Sequence, residues 1–142
     1  MTSVNEVGTE HIANLLARAI GAIRAQILAT SEERFPGLRI SHYRLLELIP
    51  DGGGRITDLA QVAAMTKQGL GQHIDYLQKL GFTESDRLST DRRVRLVRRT
   101  ARGDEAVAFS REVIGRVETT WAQQLGPERF ELLREMLAEL SV

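Results

Sequence analysis

Residues 56–82, ITDLAQVAAMTKQGLGQHIDYLQKLGF, decide the fold. Two short amphipathic runs meet at Met65 and Thr66. The first carries Leu59, Ala60, Val62 and Ala63, and Thr57 offers a cap before it. The second starts after Thr66, an N-cap type, and repeats Leu70, Ile74, Leu77 and Leu80 at helical spacing. Gly81 supplies the left-handed end position of that second helix. Two capped helices joined by so tight a turn make a helix-turn-helix pattern. With Leu70, Ile74 and Leu77 turned inward, Lys67, Gln68, Gly71, Gln72 and Asp75 face outward. Lysine and glutamine at a helix N-terminus suit phosphates and base edges. Gly69 and Gly71 each cost about 1 kcal/mol relative to alanine inside a helix. For Gly71, close approach to a DNA backbone and a tight crossing over the preceding helix are both open explanations.

After Phe82 the period changes. FTESDR and RVRLVRR alternate in the manner of strands, with turn-forming LSTD between them, and a hairpin after a helix-turn-helix is a winged helix. The same region concentrates charge. The 142-residue chain is formally neutral, yet residues 86–102 carry seven arginines (87, 92, 93, 95, 98, 99 and 102) against Asp86 and Asp91. Charge alone leaves a solvated strand and a phosphate-binding surface equally open. On a wing, Arg87, Arg92, Arg93 and Arg95 would line strands and tip pressed against DNA, with the tip in the minor groove.

The rest of the chain is helical. From Glu10 to Leu28, apolar residues recur every three or four positions, and RFPGLRIS ends that run because Pro36 lacks an amide donor. Ser41 is expected to cap a short helix, HYRLLELI, and PDGGGR reads as a turn or loop. Thr100 is expected to cap a long helix running to Leu125. Gly126 and Pro127 then separate it from PERFELLREMLAEL, which carries Phe130, Leu133, Met136, Leu137 and Leu140. This is more apolar helix than a small winged-helix core requires, which predicts a helical dimer interface.

Here the sequence resembles the MarR (multiple antibiotic resistance regulator) winged-helix transcription factors. The most specific part is DRRVRLVRRTARG, which is similar to the family's wing signature at Asp91, Arg93, Thr100 and Gly103. Two positions depart from the family pattern: Arg99 stands where leucine is usual before the threonine, and Gln72 where a basic residue is common. The resemblance implies a mainly α fold with a small β-hairpin wing. It implies one domain over residues 1–142, with dimerisation helices at about 8–35 and 101–142 and a DNA-binding lobe at about 41–100. It implies that Arg93 enters the minor groove, oriented by Asp91 through a charge-assisted hydrogen bond. It further implies a homodimer on double-stranded DNA, at a pseudo-palindromic operator, and a small aromatic or anionic effector that relieves repression. His42, Tyr43 and Arg44 are candidates for holding that effector. The DNA-facing set is Thr66, Lys67, Gln68, Gly71, Gln72, Asp75, Arg87, Asp91, Arg92, Arg93 and Arg95. A winged-helix module that binds an acidic protein partner is the alternative.

Composition narrows the function classes. There is no cysteine, so thiolate catalysis, disulfide scaffolding and cysteine-ligated zinc are excluded. His11, His42 and His73 lie on different expected helices with no metal-binding spacing, and no nucleophile-elbow or phosphate-loop motif occurs. No enzyme, cofactor or metal is expected. No apolar run is expected to reach the roughly 18 to 20 residues of a membrane span, so a cytoplasmic protein is the expectation.

Overall fold

The structure, a computed structural model, describes residues 10–140. Helix α1 spans Ile12–Arg34 and α2 spans Ile40–Leu48; strand β1 (Gly54–Arg55) leads into α3 (Ile56–Ala63) and α4 (Lys67–Lys79). Strands β2 (Thr83–Arg87) and β3 (Arg95–Arg99) form the wing, followed by α5 (Ala101–Leu125) and α6 (Pro127–Glu139). The chain separates into two compact units, Leu28–Ser110 and the remainder before and after it. Both boundaries fall inside long helices, α1 and α5. The expected start of the first dimerisation helix at about residue 8 lies outside the described residues.

The Leu28–Ser110 unit holds the helix-turn-helix and the wing. Its core is Phe35, Leu46, Ile49, Leu70, Ile74, Leu77, Phe82, Val97, Ala106 and Phe109, all buried. Phe35 meets Phe82 edge-on at 6.0 Å between ring centroids and Phe109 at 5.6 Å, so the end of α1, the strand entry and α5 share one aromatic cluster. Truncating a side chain such as Phe82 to alanine removes about 3 to 5 kcal/mol from a core of this kind. Gly103 of the wing signature is fixed by the same packing. A Cβ there would lie 2.2 Å from the Phe82 carbonyl oxygen, closer than any atom can sit, so α5 can cross the strand only at glycine.

The sheet differs from the expected hairpin. β3 is central, with β2 on one side and the two-residue β1 on the other, all antiparallel. Val97 pairs with Ser85 and Gly54, and Arg95 with Arg87. The segment read as a loop thus contributes a strand, because Gly54 and Arg55 close onto the backbone of Val97 and Leu96.

α1 runs to Arg34, where RFPGLRIS is expected to end it. Two helix starts are corrected. α2 begins at Ile40, one residue before the expected Ser41 cap. Its N-cap is Arg39, whose N–H donates to His42 Nδ1 (2.9 Å) while the His42 N–H donates to the Arg39 carbonyl (3.0 Å). α3 begins at Ile56 with Arg55 as N-cap, so Thr57 lies inside the helix. Elsewhere the caps fall as expected. Thr66 Oγ1 accepts from Gly69 N–H at 3.0 Å, Gly81 has φ +86°, and Thr100 Oγ1 accepts from Gly103 N–H at 3.2 Å.

The second unit comprises most of α1, the rest of α5, and α6. Arg134 of α6 pairs with Glu118 of α5 at 2.7 Å. Ile12, Leu16 and Ile20 of α1 are exposed, as are Leu132, Met136, Leu137 and Leu140 at the C-terminal end. One expectation about hydropathy is overturned: α1 is long and apolar enough to cross a membrane, with a window of mean hydropathy 1.3. A single such helix is weak evidence for a span. Arg18 and Arg24 interrupt its apolar positions, which recur at threes and fours, the pattern of an amphipathic helix.

Candidate nucleic-acid interface

The outward face of α4 is available. Lys67, Gln68, Gln72 and Asp75 are exposed, and Thr66 caps the helix start by accepting the Gly69 N–H. Gly71 has room: an added Cβ would meet only Ile56 Cδ1, at 3.8 Å, an ordinary contact. Packing against α3 therefore does not require glycine at this position.

The wing tip closes through backbone bonds from Leu88 to Val94 (3.0 Å), Asp91 to Leu88 (3.2 Å) and Val94 to Asp91 (3.1 Å). Asp91 Oδ1 accepts the Arg93 N–H and its Nε–H, both at 3.1 Å, and Oδ2 accepts from a terminal guanidinium nitrogen at 3.3 Å. The side-chain bonds from Arg93, then its backbone N–H, hold the Asp91 carboxyl below the usual carboxylate range. The Arg93 side chain is nevertheless 92% exposed. It is aimed without being covered. Arg87 and Arg92 are also exposed, and neither has a carboxylate partner among the described residues.

The other arginines of the run are engaged within the fold. Arg95, whose side chain is 15% exposed, donates to Asp75 of α4 (2.8 Å) and to Ser85 of β2 (3.2 Å). Asp75 is thereby tied to the wing. Arg98 spans Glu84 (3.4 Å) and Asp86 (2.5 Å) across the strand pair, and these carboxylates keep its proton more firmly held than usual. Arg102 lies over the Phe82 ring, 4.9 Å from its centroid. Arg99 is the most enclosed, 8% exposed. It donates to the Leu46 carbonyl (3.0 Å), the Ile49 carbonyl, Asp51, and Asp104 (2.8 Å), so it closes the end of α2 and joins it to the first turn of α5. Arg99, where the resemblance expects leucine, is accommodated by four hydrogen bonds.

A cleft of about 320 Å³ lies among these elements, lined by Arg55, Thr57, Lys67, Asp91, Arg93 and Arg95. Arg55 and Thr57 are site residues beyond the expected set. Their signal is position: β1 and the start of α3 bring them beside Lys67, and only the unforeseen pairing of β1 with β3 puts them there.

The three effector candidates diverge. His42, 3% exposed, stacks on Tyr76 of α4 with ring centroids 5.0 Å apart and faces His73 edge-on at 5.9 Å. Burial, then the charges of His73 and Arg39, lower its pKa from the usual imidazole value. Tyr43 is buried on another side, its hydroxyl 2.5 Å from Ser31 Oγ and its ring 5.9 Å from Phe109; burial pushes its phenol upward. Arg44 is exposed. Among the described residues no group of three or more histidines and carboxylates could hold a metal ion.

No protein-family sequence model and no curated protein matches the chain. Solved structures do. A transcriptional repressor, CouR, bound to a 23-mer DNA duplex gives a TM-score of 0.74 at 21% identity, covering 97% of this chain and 96% of that one. CouR from Rhodococcus jostii RHA1 bound to p-coumaroyl-CoA gives 0.67 at 17%, covering 91% and 90%. MarR gives 0.74 at 21%, covering 92% and 88%, and Streptococcus pneumoniae FabT in complex with DNA gives 0.76 at 16%, covering 89% and 90%. A mainly helical chain whose small antiparallel sheet forms a wing after a helix-turn-helix, and which superposes on these proteins over nearly its full length, has the winged-helix fold of the MarR regulators.

Proposed function

We propose that this protein is a non-enzymatic, DNA-binding transcriptional regulator that reads a duplex with α4 in the major groove and the wing tip in an adjacent minor groove. The observation that carries this reading is Arg93: its guanidinium is oriented by Asp91 and almost fully solvent-exposed, at the rim of the cleft that also holds Lys67 and Arg55. An arginine whose carboxylate partner only steers it is arranged to meet an anion from outside. In this reading Lys67, Arg55 and Arg92 meet phosphates, Gln68 and Gln72 face base edges, and the small Gly71 lets the backbone come close. Arg95 and Asp75 act differently, bracing the wing against α4. The two DNA-bound relatives of the same fold support this assignment over an acidic protein partner.

The exposed apolar residues of α1 and α6 support a homodimer, which would place two reading helices on half-sites about one helical turn apart. Repression relieved by a small aromatic or anionic effector, and a cytoplasmic location, complete the reading; the p-coumaroyl-CoA complex of a similar fold supports the effector. Fluorescence anisotropy with a selected operator and a scrambled duplex, across a salt series, tests DNA recognition. A linear fall of log affinity with log salt, steeper than one phosphate contact gives, is expected. Equal and salt-independent binding to both duplexes, with capture by an acidic protein instead, would favour the protein-interaction alternative. Sedimentation of Leu133→Asp with Leu137→Asp, against a dimeric wild type, tests assembly: monomers with lost operator binding are expected.

A further inference from the structure

A second cleft, of about 200 Å³, opens on α4 away from the wing, lined by Arg39, His42, Gln72, His73 and Tyr76. We infer that this cleft between α2 and α4 is a phosphate-binding site, in which His42 Nε2–H, the Arg39 guanidinium and His73 surround one tetrahedral oxyanion.

The α2 cap fixes the proton on His42. Its Nδ1 accepts the Arg39 N–H in the α2 cap, so the neutral ring carries its hydrogen on Nε2. Nε2 has no hydrogen-bond partner among the described residues. No fully buried side-chain nitrogen or oxygen there lacks one, so Nε2 still reaches solvent, and the cleft that His42 lines is where it does so. A side chain 97% removed from solvent thus presents one oriented donor into a cavity. Around it stand Arg39, whose charge is felt at His42, and the His73 ring. No carboxylate lines the cleft. The nearest one along α4, Asp75, is paired with Arg95.

Size and shape choose the ligand. The ring faces of His42 and Tyr76 already stack on each other, which leaves no slot for an aromatic molecule, and the volume falls below the roughly 300 Å³ at which drug-sized ligands begin. A phosphate group fits and takes up several donors at once. Two sources carry it: free phosphate, or the backbone of a bound duplex. The placement suits the second. At 100° per residue, Lys67 and Gly71 occupy one flank of the outward face of α4, His73 and Tyr76 the other, with Gln68 and Gln72 between. The reading helix is bracketed by two donor-rich clefts, as contact with both walls of a groove requires. That source rests on the DNA-binding reading above, whereas the free-phosphate source does not.

Histidine side-chain NMR at neutral pH decides. Inorganic phosphate is titrated against chloride at matched ionic strength, with His11 as reference, and operator duplex is titrated separately while anisotropy reports whether duplex binds. Saturable shifts of the His42 and His73 ring signals with phosphate, weakened about tenfold in the exposed-site variant Arg39→Gln, are expected for loss of one charge-assisted bond. Shifts with duplex that added phosphate reverses assign the backbone source. Shifts with phosphate but not with a duplex that demonstrably binds assign the free-anion source. If duplex does not bind but phosphate shifts the rings, the DNA reading fails and this site stands. Rings unmoved by both ligands overturn the inference.

Discussion

The arginine run changes character between its tip and its base. At the tip, Arg87 and Arg92 are exposed without carboxylate partners and Arg93 is steered by Asp91 into solvent. At the base, Arg95, Arg98, Arg99 and Arg102 spend their donors and ring-facing surfaces on the fold itself. Seven like residues in one stretch therefore divide into a group free to meet a ligand and a group that builds the wing's seat. The difference teaches that net charge along a sequence overstates the charge offered to a partner: the neighbours in space, here Asp75, Glu84, Asp86, Asp51 and Asp104, decide how much remains.

The contrast breaks most visibly at Arg99. Arg99→Ala leaves the Ile49 carbonyl without its side-chain donor, the Leu46 carbonyl with only the Ile49 N–H, and Asp104 without its cation, and should lower unfolding stability by about 3 kcal/mol, read by urea denaturation. A change within error would mean that the base arginines are as dispensable as surface ones. Next comes Arg95→Met, which keeps the apolar stem but frees Asp75. A loss of about 1 kcal/mol in stability is expected. Duplex affinity should fall for specific and scrambled sequences alike, because the wing is no longer braced on α4.

Much of this was legible in advance. The helix-turn-helix registered because Leu70, Ile74 and Leu77 repeat at a helical period and Thr66 is a strong cap; all three leucine and isoleucine side chains are buried and the cap bond is present. The wing signature placed Asp91 beside Arg93 correctly. What escaped is non-local. β1 has two residues and no pattern of its own, so its pairing with β3 was invisible, and with it the arrival of Arg55 and Thr57 at the cleft. The α2 cap was missed because a histidine ring replaces the usual hydroxyl or carboxylate, a choice that depends on Tyr76 and His73 packing beside it from another helix. The internal use of Arg99 likewise depends on Asp51 and Asp104, remote from it in chain or in register.

A smaller effect sharpens the comparison from the side of acid pH. His42 is buried with its pKa lowered, so the folded state favours the neutral ring. The stability it supports is present above about pH 6.5, the ordinary value, and declines as pH falls through the lowered one, where protonation of Nδ1 would sever the Arg39 bond. Melting temperature should drop as the solution is acidified below about pH 6.5, and His42→Gln should make that decline shallower. The smallest expected effect is at the tip. Asp91→Ala should cost a few-fold in duplex affinity, since it loosens Arg93 without removing it, and leave stability nearly unchanged because both groups are exposed.

The division between tip and base is tested most directly by Arg93→Ala, measured for duplex affinity and for unfolding in the same preparation. The expected result is a loss of about 1 to 3 kcal/mol in binding, greatest on operators with A·T-rich flanks, with the unfolding midpoint at the wild-type value. Unchanged affinity and an unchanged salt slope would contradict the account, for the most exposed and best-aimed arginine of the wing would then have no part in meeting DNA.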